Sequence, residues 1–120
     1  MSKVVQAVNA MITNSSDISN VIKITHELFF LYNKKYKWSM AARDGEYHLW
    51  FYPGAGTLES LVFQVENGDL ENISMVHYVD TDIGTKEAKA SFADLYTILS
   101  EKIYGIDKVL DDIISGDISF

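Results

Sequence analysis

The chain has 120 residues, of which 48% are apolar and 22% charged, with a single proline; this composition can sustain a hydrophobic core and excludes extensive disorder. Seventeen acidic residues against ten basic ones give a net charge of −7, which repels nucleic-acid backbone and anionic membrane and favours encounter with a basic partner. Zero cysteines exclude a disulfide framework, a thiolate metal site and a cysteine nucleophile.

In residues 1–11 the apolar pattern is interrupted by Gln6 and Asn9, unlike the continuous core of a signal peptide, so the expected compartment is the cytoplasm. Val4, Val8, Met11 and Ile12 recur at helical spacing and predict a short first helix, closed by the polar break Asn14-Ser15-Ser16-Asp17. Ile18, Val21, Ile22, Leu28, Phe29 and Tyr32 repeat at intervals of three and four, with Ile24 and Leu31 widening the stripe, and predict a second helix to about Asn33.

Tyr36, Trp38, Met40 and Ala42 then alternate with polar or small residues up to Asp44-Gly45, a strong two-residue hairpin turn. That turn sets a register in which partner numbers sum to 89. Met40 opposes Leu49 and Trp38 opposes Phe51 on one face, while Ala41 opposes His48, Ser39 opposes Trp50 and Lys37 opposes Tyr52 on the other. Pro53-Gly54-Ala55-Gly56 ends the second strand. Leu58 to Val65 alternates as a third strand, and a bulged turn over Glu66-Asn67-Gly68-Asp69 brings Leu61 near Ile73 on a fourth strand that runs to Val79.

Asp80 to Thr85 leads into a helix with Phe92, Leu95, Tyr96, Leu99 and Ile103 as its stripe and Gly105 as its terminator. Val109, Leu110, Ile113 and Ile114 predict a final helix ending near Gly116, which Asp107, Asp111, Asp112 and Asp117 make acidic. The expected architecture is one α+β domain over 1–120: a four-stranded antiparallel meander sheet at about 36–80, flanked by N-terminal and C-terminal helices.

If helices cover one sheet face, the other presents His48, Trp50, Tyr52, Val62, Val76 and Tyr78, a set too aromatic for an ordinary wetted sheet. If helices cover both, these residues are core. His48, Trp50, Tyr52, Val62 and Tyr78 are therefore the candidate partner-binding residues, together with Asp107, Asp111 and Asp112, which would steer a basic surface toward the chain.

Enzymatic signals are weak. His26, His48 and His77 share no metal-binding spacing. His77 with Asp80, Asp82 and Glu59 is the one conceivable acid-base or divalent-metal cluster, and a structural role outweighs it. Asp80-Thr81-Asp82-Ile83-Gly84 fails as a calcium loop, because it lacks a third oxygen ligand and has Ser91 where the terminal glutamate belongs. Gly54-Ala55-Gly56-Thr57 reads as a turn rather than an anion cradle. No Gly-x-Ser-x-Gly elbow, His-Glu-x-x-His helix or dinucleotide fingerprint occurs. The sequence assigns no catalytic residue, no metal and no cofactor.

The expectation is a non-enzymatic protein that masks or neutralises a basic protein partner, or else pairs with a second copy of itself. In size and charge it is comparable with immunity proteins of bacterial toxin systems and with phage proteins that block host defences, and no motif ties it to either. Two alternatives stand beside this reading. One is a dimeric acidic secretion chaperone; the other is a small-molecule-binding domain or enzyme whose pocket, between the long second helix and the sheet, uses Tyr32, Trp38, His77 or Tyr47.

Overall fold

A computed structural model describes residues 2–116, apart from the side chain of Asp107. One antiparallel sheet runs through it in sequence order: β1 (Ile18–Ile24), β2 (Glu27–Tyr32), β3 (Tyr36–Arg43), β4 (Glu46–Tyr52) and β5 (Val76–Val79). The helices are α1 (Lys3–Thr13), α2 (Leu58–Glu66), the single turn α3 (Asp80–Ile83), α4 (Lys86–Tyr104) and α5 (Ile106–Ile114). This is the expected α+β architecture with helices at both ends, and its sheet has five strands where four were expected.

The central hairpin has the register that its turn dictates. Asp44 and Gly45 both take positive φ, +52° and +77°, as a two-residue turn matching strand twist requires. Pairing then runs from Arg43 with Glu46 to Lys37 with Tyr52. Helix α1 is capped by the Ser2 hydroxyl, which accepts from Val5 N, and α4 by that of Thr85, which accepts from Ala88 N. Ser91 Oγ on α4 donates to Asn9 Oδ1 on α1 at 2.6 Å, tying the two helices into one layer. Beneath them lies the main core: Val5, Val8 and Met11 from α1 and Phe92, Leu95 and Leu99 from α4 pack against Phe30, Met40 and Leu49 of the sheet. Each large apolar side chain buried this way stabilises the fold by about 1.5–3 kcal/mol.

Three segments depart from the sequence expectation, the shortest being residues 70–75, which were expected at the start of the fourth strand and lie outside β5. Residues 18–33 form a hairpin rather than a helix, with Ile24 paired to Glu27 across a two-residue turn. The helical spacing has a definite origin, because Asn20 sits at φ +55° in a β-bulge between Ser19 and Ile22. The bulge switches the strand's facing. Ile18 and Val21 reach one core while Ile22 and Ile24 reach the other, so a bulged strand displays the three-residue interval of a helix. In β2, Leu28, Phe29 and Phe30 are all buried, a continuous apolar run covered on both faces.

Residues 58–66 form a helix rather than a strand. Thr57 caps α2 by accepting from Ser60 N at 3.1 Å, and Leu58, Leu61 and Val62 are buried while Phe63 is exposed. The stripe at 58, 61, 62 and 65 therefore prevails over the alternation of Leu61, Phe63 and Val65. Asn67 and Gly68, expected in a hairpin turn, instead close the helix, with Gly68 at φ +72°. Strand β5 pairs with β4, setting Val76 against Phe51 and Tyr78 against Leu49. Helix α2 packs on Phe29 and Tyr52, so both sheet faces carry helices.

Candidate functional site

The expected binding face is divided by α2. Tyr52 and Val62 were candidate partner contacts, yet they retain 5% and 7% of their exposure because α2 carries Val62 down onto Tyr52. Both belong to the core. Beneath α2, Ser39 Oγ donates to Glu27 Oε2 at 2.5 Å, and Tyr52 Oη lies 2.7 Å from Ser39 Oγ and 3.1 Å from Glu27 Oε2. Burial, reinforced by the Glu27 charge, pushes the Tyr52 phenol well above the usual tyrosine range, even though the Ser39 hydrogen bond pulls the other way. Ser39 is fully buried, so this cluster anchors the sheet and offers no nucleophile to a substrate. Buried Lys37 sends Nζ to the carbonyls of Gly54 and Gly56, each at 2.5 Å. The Gly54–Thr57 turn thus points carbonyls at a cation rather than amides at an anion, although α2 does follow it.

His48 and Trp50 remain on the uncovered part of that face, joined by His77 from β5. The Trp50 and His77 rings stack at 4.7 Å with 5° between planes, and His48 lies 5.6 Å from Trp50 and 5.1 Å from His77. His48 Nδ1 and His77 Nε2 are hydrogen-bonded at 2.9 Å, which requires one neutral ring nitrogen as acceptor. Arg43 lies 5.9 Å from the Trp50 ring, and Glu46 Oε1 is 3.9 Å from His48 Nε2. The His77 pKa is lowered, first by burial and then by the charges of His48 and Arg43, while Asp82 opposes them.

Of the acids expected around His77, Asp82 lies within range of its charge, whereas Asp80 and Glu59 serve elsewhere. Asp80 is buried, and its Oδ1 accepts from Tyr47 N at 3.0 Å and Thr81 N at 2.9 Å, joining β4 to the start of α3. Glu59 lies on α2 and accepts from Asn20 Nδ2; the residue across the strand from His77 is Trp50. His26 is exposed at the β1–β2 turn. Among the described residues, no group of three or more His, Asp or Glu side chains could hold a metal ion, and no helix is long and apolar enough to cross a membrane.

Tyr78 points to the opposite face, because its partner Leu49 belongs to the main core. There it helps to line an aromatic cleft of about 340 Å³. Tyr32, Tyr36, Trp38, Phe51 and Tyr78 form its sheet side, and Ala7, Ala10 and Met11 of α1 form the other. The small side chains of Ala7 and Ala10 leave the hollow. Trp38 and Phe51 are 4.9 Å apart at 54°, and Tyr36 and Phe51 6.3 Å apart at 51°, so the rings stand as tilted walls. The pocket expected between a helix at 18–33 and the sheet is not formed, because that segment is β1 and β2; Tyr32 and Trp38 meet instead under α1, while Tyr47 packs on Tyr96 of α4.

A further exposed apolar surface is on α5. Val109 and Leu110 are about half exposed, and Ile113 and Ile114 retain 70% and 80% of their exposure. Tyr104, at the junction with α4, is also largely exposed. Asp111 and Asp112 are exposed on the same helix, while the side chain of Asp107 and all of Asp117 lie outside the described residues. The sequence located this helix and its acids, but the exposure of its apolar stripe follows from how little of the domain packs on it. No family model, curated protein or solved structure matches this chain.

Proposed function

We propose that this chain is a non-enzymatic, acidic protein of the cytoplasm that docks on a basic protein partner through α5 and masks the surface it covers. The observation carrying this reading is the stripe Val109, Leu110, Ile113 and Ile114, spaced as one helical face and left in solvent. An amphipathic helix with no domain packed on its apolar side is the form in which helices enter grooves of partner proteins. Exposed apolar surface of this kind marks interaction sites. The net charge of −7 turns it away from anionic membrane and toward a basic protein, with Asp111 and Asp112 as steering charges. His48 and Trp50, partly buried on the sheet, provide a second contact area of the amphipathic ring type enriched at interfaces.

The reading is tested by affinity capture from the native cell with the wild-type chain and the double variant Leu110→Asp, Ile113→Asp, at low and moderate salt. The expected result is one stoichiometric basic protein, held less tightly as salt rises and lost from the variant. Equal recovery by the folded variant would remove α5 from the interface.

A further inference from the structure

We infer that the aromatic cleft between α1 and the sheet binds a quaternary ammonium group, at a site separate from the α5 surface. Its walls are five aromatic rings, a methionine and two alanines, and among the described residues no carboxylate, amide or histidine lines it. That composition decides between ligand classes. An anion would meet ring faces that are themselves electron-rich, within a protein of net charge −7. A guanidinium group carries five N–H donors against the three phenol oxygens of Tyr32, Tyr36 and Tyr78 in the cleft, so burying it would leave donors unmatched. A fully N-methylated cation has no donor to satisfy. Its charge spreads over methyl groups that pack against ring faces, so an apolar aromatic lining suffices.

The disposition of the rings fits that ligand. Trp38 and Phe51 are tilted by 54° and Tyr36 and Phe51 by 51°, so the rings are not stacked flat against one another. Tyr36 is 40% exposed at the rim, so its ring is open to an incoming ligand. The cavity of about 340 Å³ lies at the small end of the usual range for ligand sites, which suits a choline-sized headgroup better than an extended molecule.

Choline and its uncharged carbon isostere 3,3-dimethyl-1-butanol separate the cation from mere apolar filling, because the two share shape and differ in charge. Titration of each into the full chain, followed by NMR of the aromatic rings and by calorimetry, is expected to show saturable choline binding with shifts at Trp38, Tyr36 and Phe51. The isostere is expected to bind at least about tenfold more weakly. Trp38→Leu is expected to abolish choline binding, and Tyr36→Ser, at the exposed rim, to weaken it severalfold without loss of fold. The α5 double variant is expected to bind choline as the wild type does, so the two sites succeed or fail separately. Equal affinity for choline and the isostere, or choline binding unaffected by Tyr36→Ser, would overturn the assignment.

Discussion

Helices α4 and α5 follow one another through Gly105, and their apolar residues recur with the same period, but they bury opposite amounts of it. Phe92, Leu95 and Leu99 of α4 are fully buried, whereas Ile113 and Ile114 of α5 are 70% and 80% exposed. A helical stripe in a sequence shows that a helix has an apolar face; it does not show whose surface covers it. For α4 the cover is the sheet, through Met40 and Leu49. For α5 the described domain supplies no comparable layer, and that difference underlies the assignment of α5 to a partner.

Truncation within α4 sharpens the contrast most. Leu95→Ala is expected to cost about 2–5 kcal/mol, the range for deleting a buried leucine side chain, measured by urea unfolding. Gly105→Ala comes next: the glycine holds φ +60° with open space around it, so the loss is backbone strain of roughly 1–2 kcal/mol with no steric clash added. Leu110→Asp with Ile113→Asp is expected to change stability by less than about 0.5 kcal/mol per site, as for surface positions. A loss as large as that of Leu95→Ala would break the comparison by placing α5 in the core.

The smallest effect concerns pH. The His77 pKa is lowered, chiefly by partial desolvation of its otherwise exposed ring, so the unfolded chain takes up its proton at higher pH than the folded one. The contribution of His77 is therefore complete above the ordinary histidine range and declines as pH falls through that range toward the folded value. Unfolding midpoints measured across this window are expected to drop with pH in the wild type and in the α5 double variant alike, and His77→Gln is expected to lessen the drop. A different slope in the α5 variant would couple the helix to the sheet and blur the distinction drawn here.

Much of the fold was legible because some local signals admit only one reading. Asp44-Gly45 fixed the β3–β4 register, and the stripes of α1, α4 and α5, with Gly105 as terminator, located those helices. The misread segments fail for separable reasons. At 18–33 a bulge at Asn20 gave a strand the spacing of a helix. At 58–66 a short apolar run satisfied both periods, and the need to cover Phe29 and Tyr52 decided for a helix. The candidate site inherited those errors. His48 and Trp50 are partly buried beside α2, Tyr52 and Val62 became core once α2 formed, and pairing of β5 with β4 sent Tyr78 to the other face. The ring stack with His77 depends on that same pairing, as does the position of Tyr78 in the aromatic cleft, and neither pattern is present in any local stretch of sequence.

The most direct test of the central claim pairs two readouts on Leu110→Asp, Ile113→Asp: thermal stability of the isolated chain, and capture of a basic partner from the native cell. Unchanged stability with loss of a stoichiometric partner is the expected result. Global unfolding, or undiminished capture by a folded variant, would contradict the assignment of α5 as the docking surface.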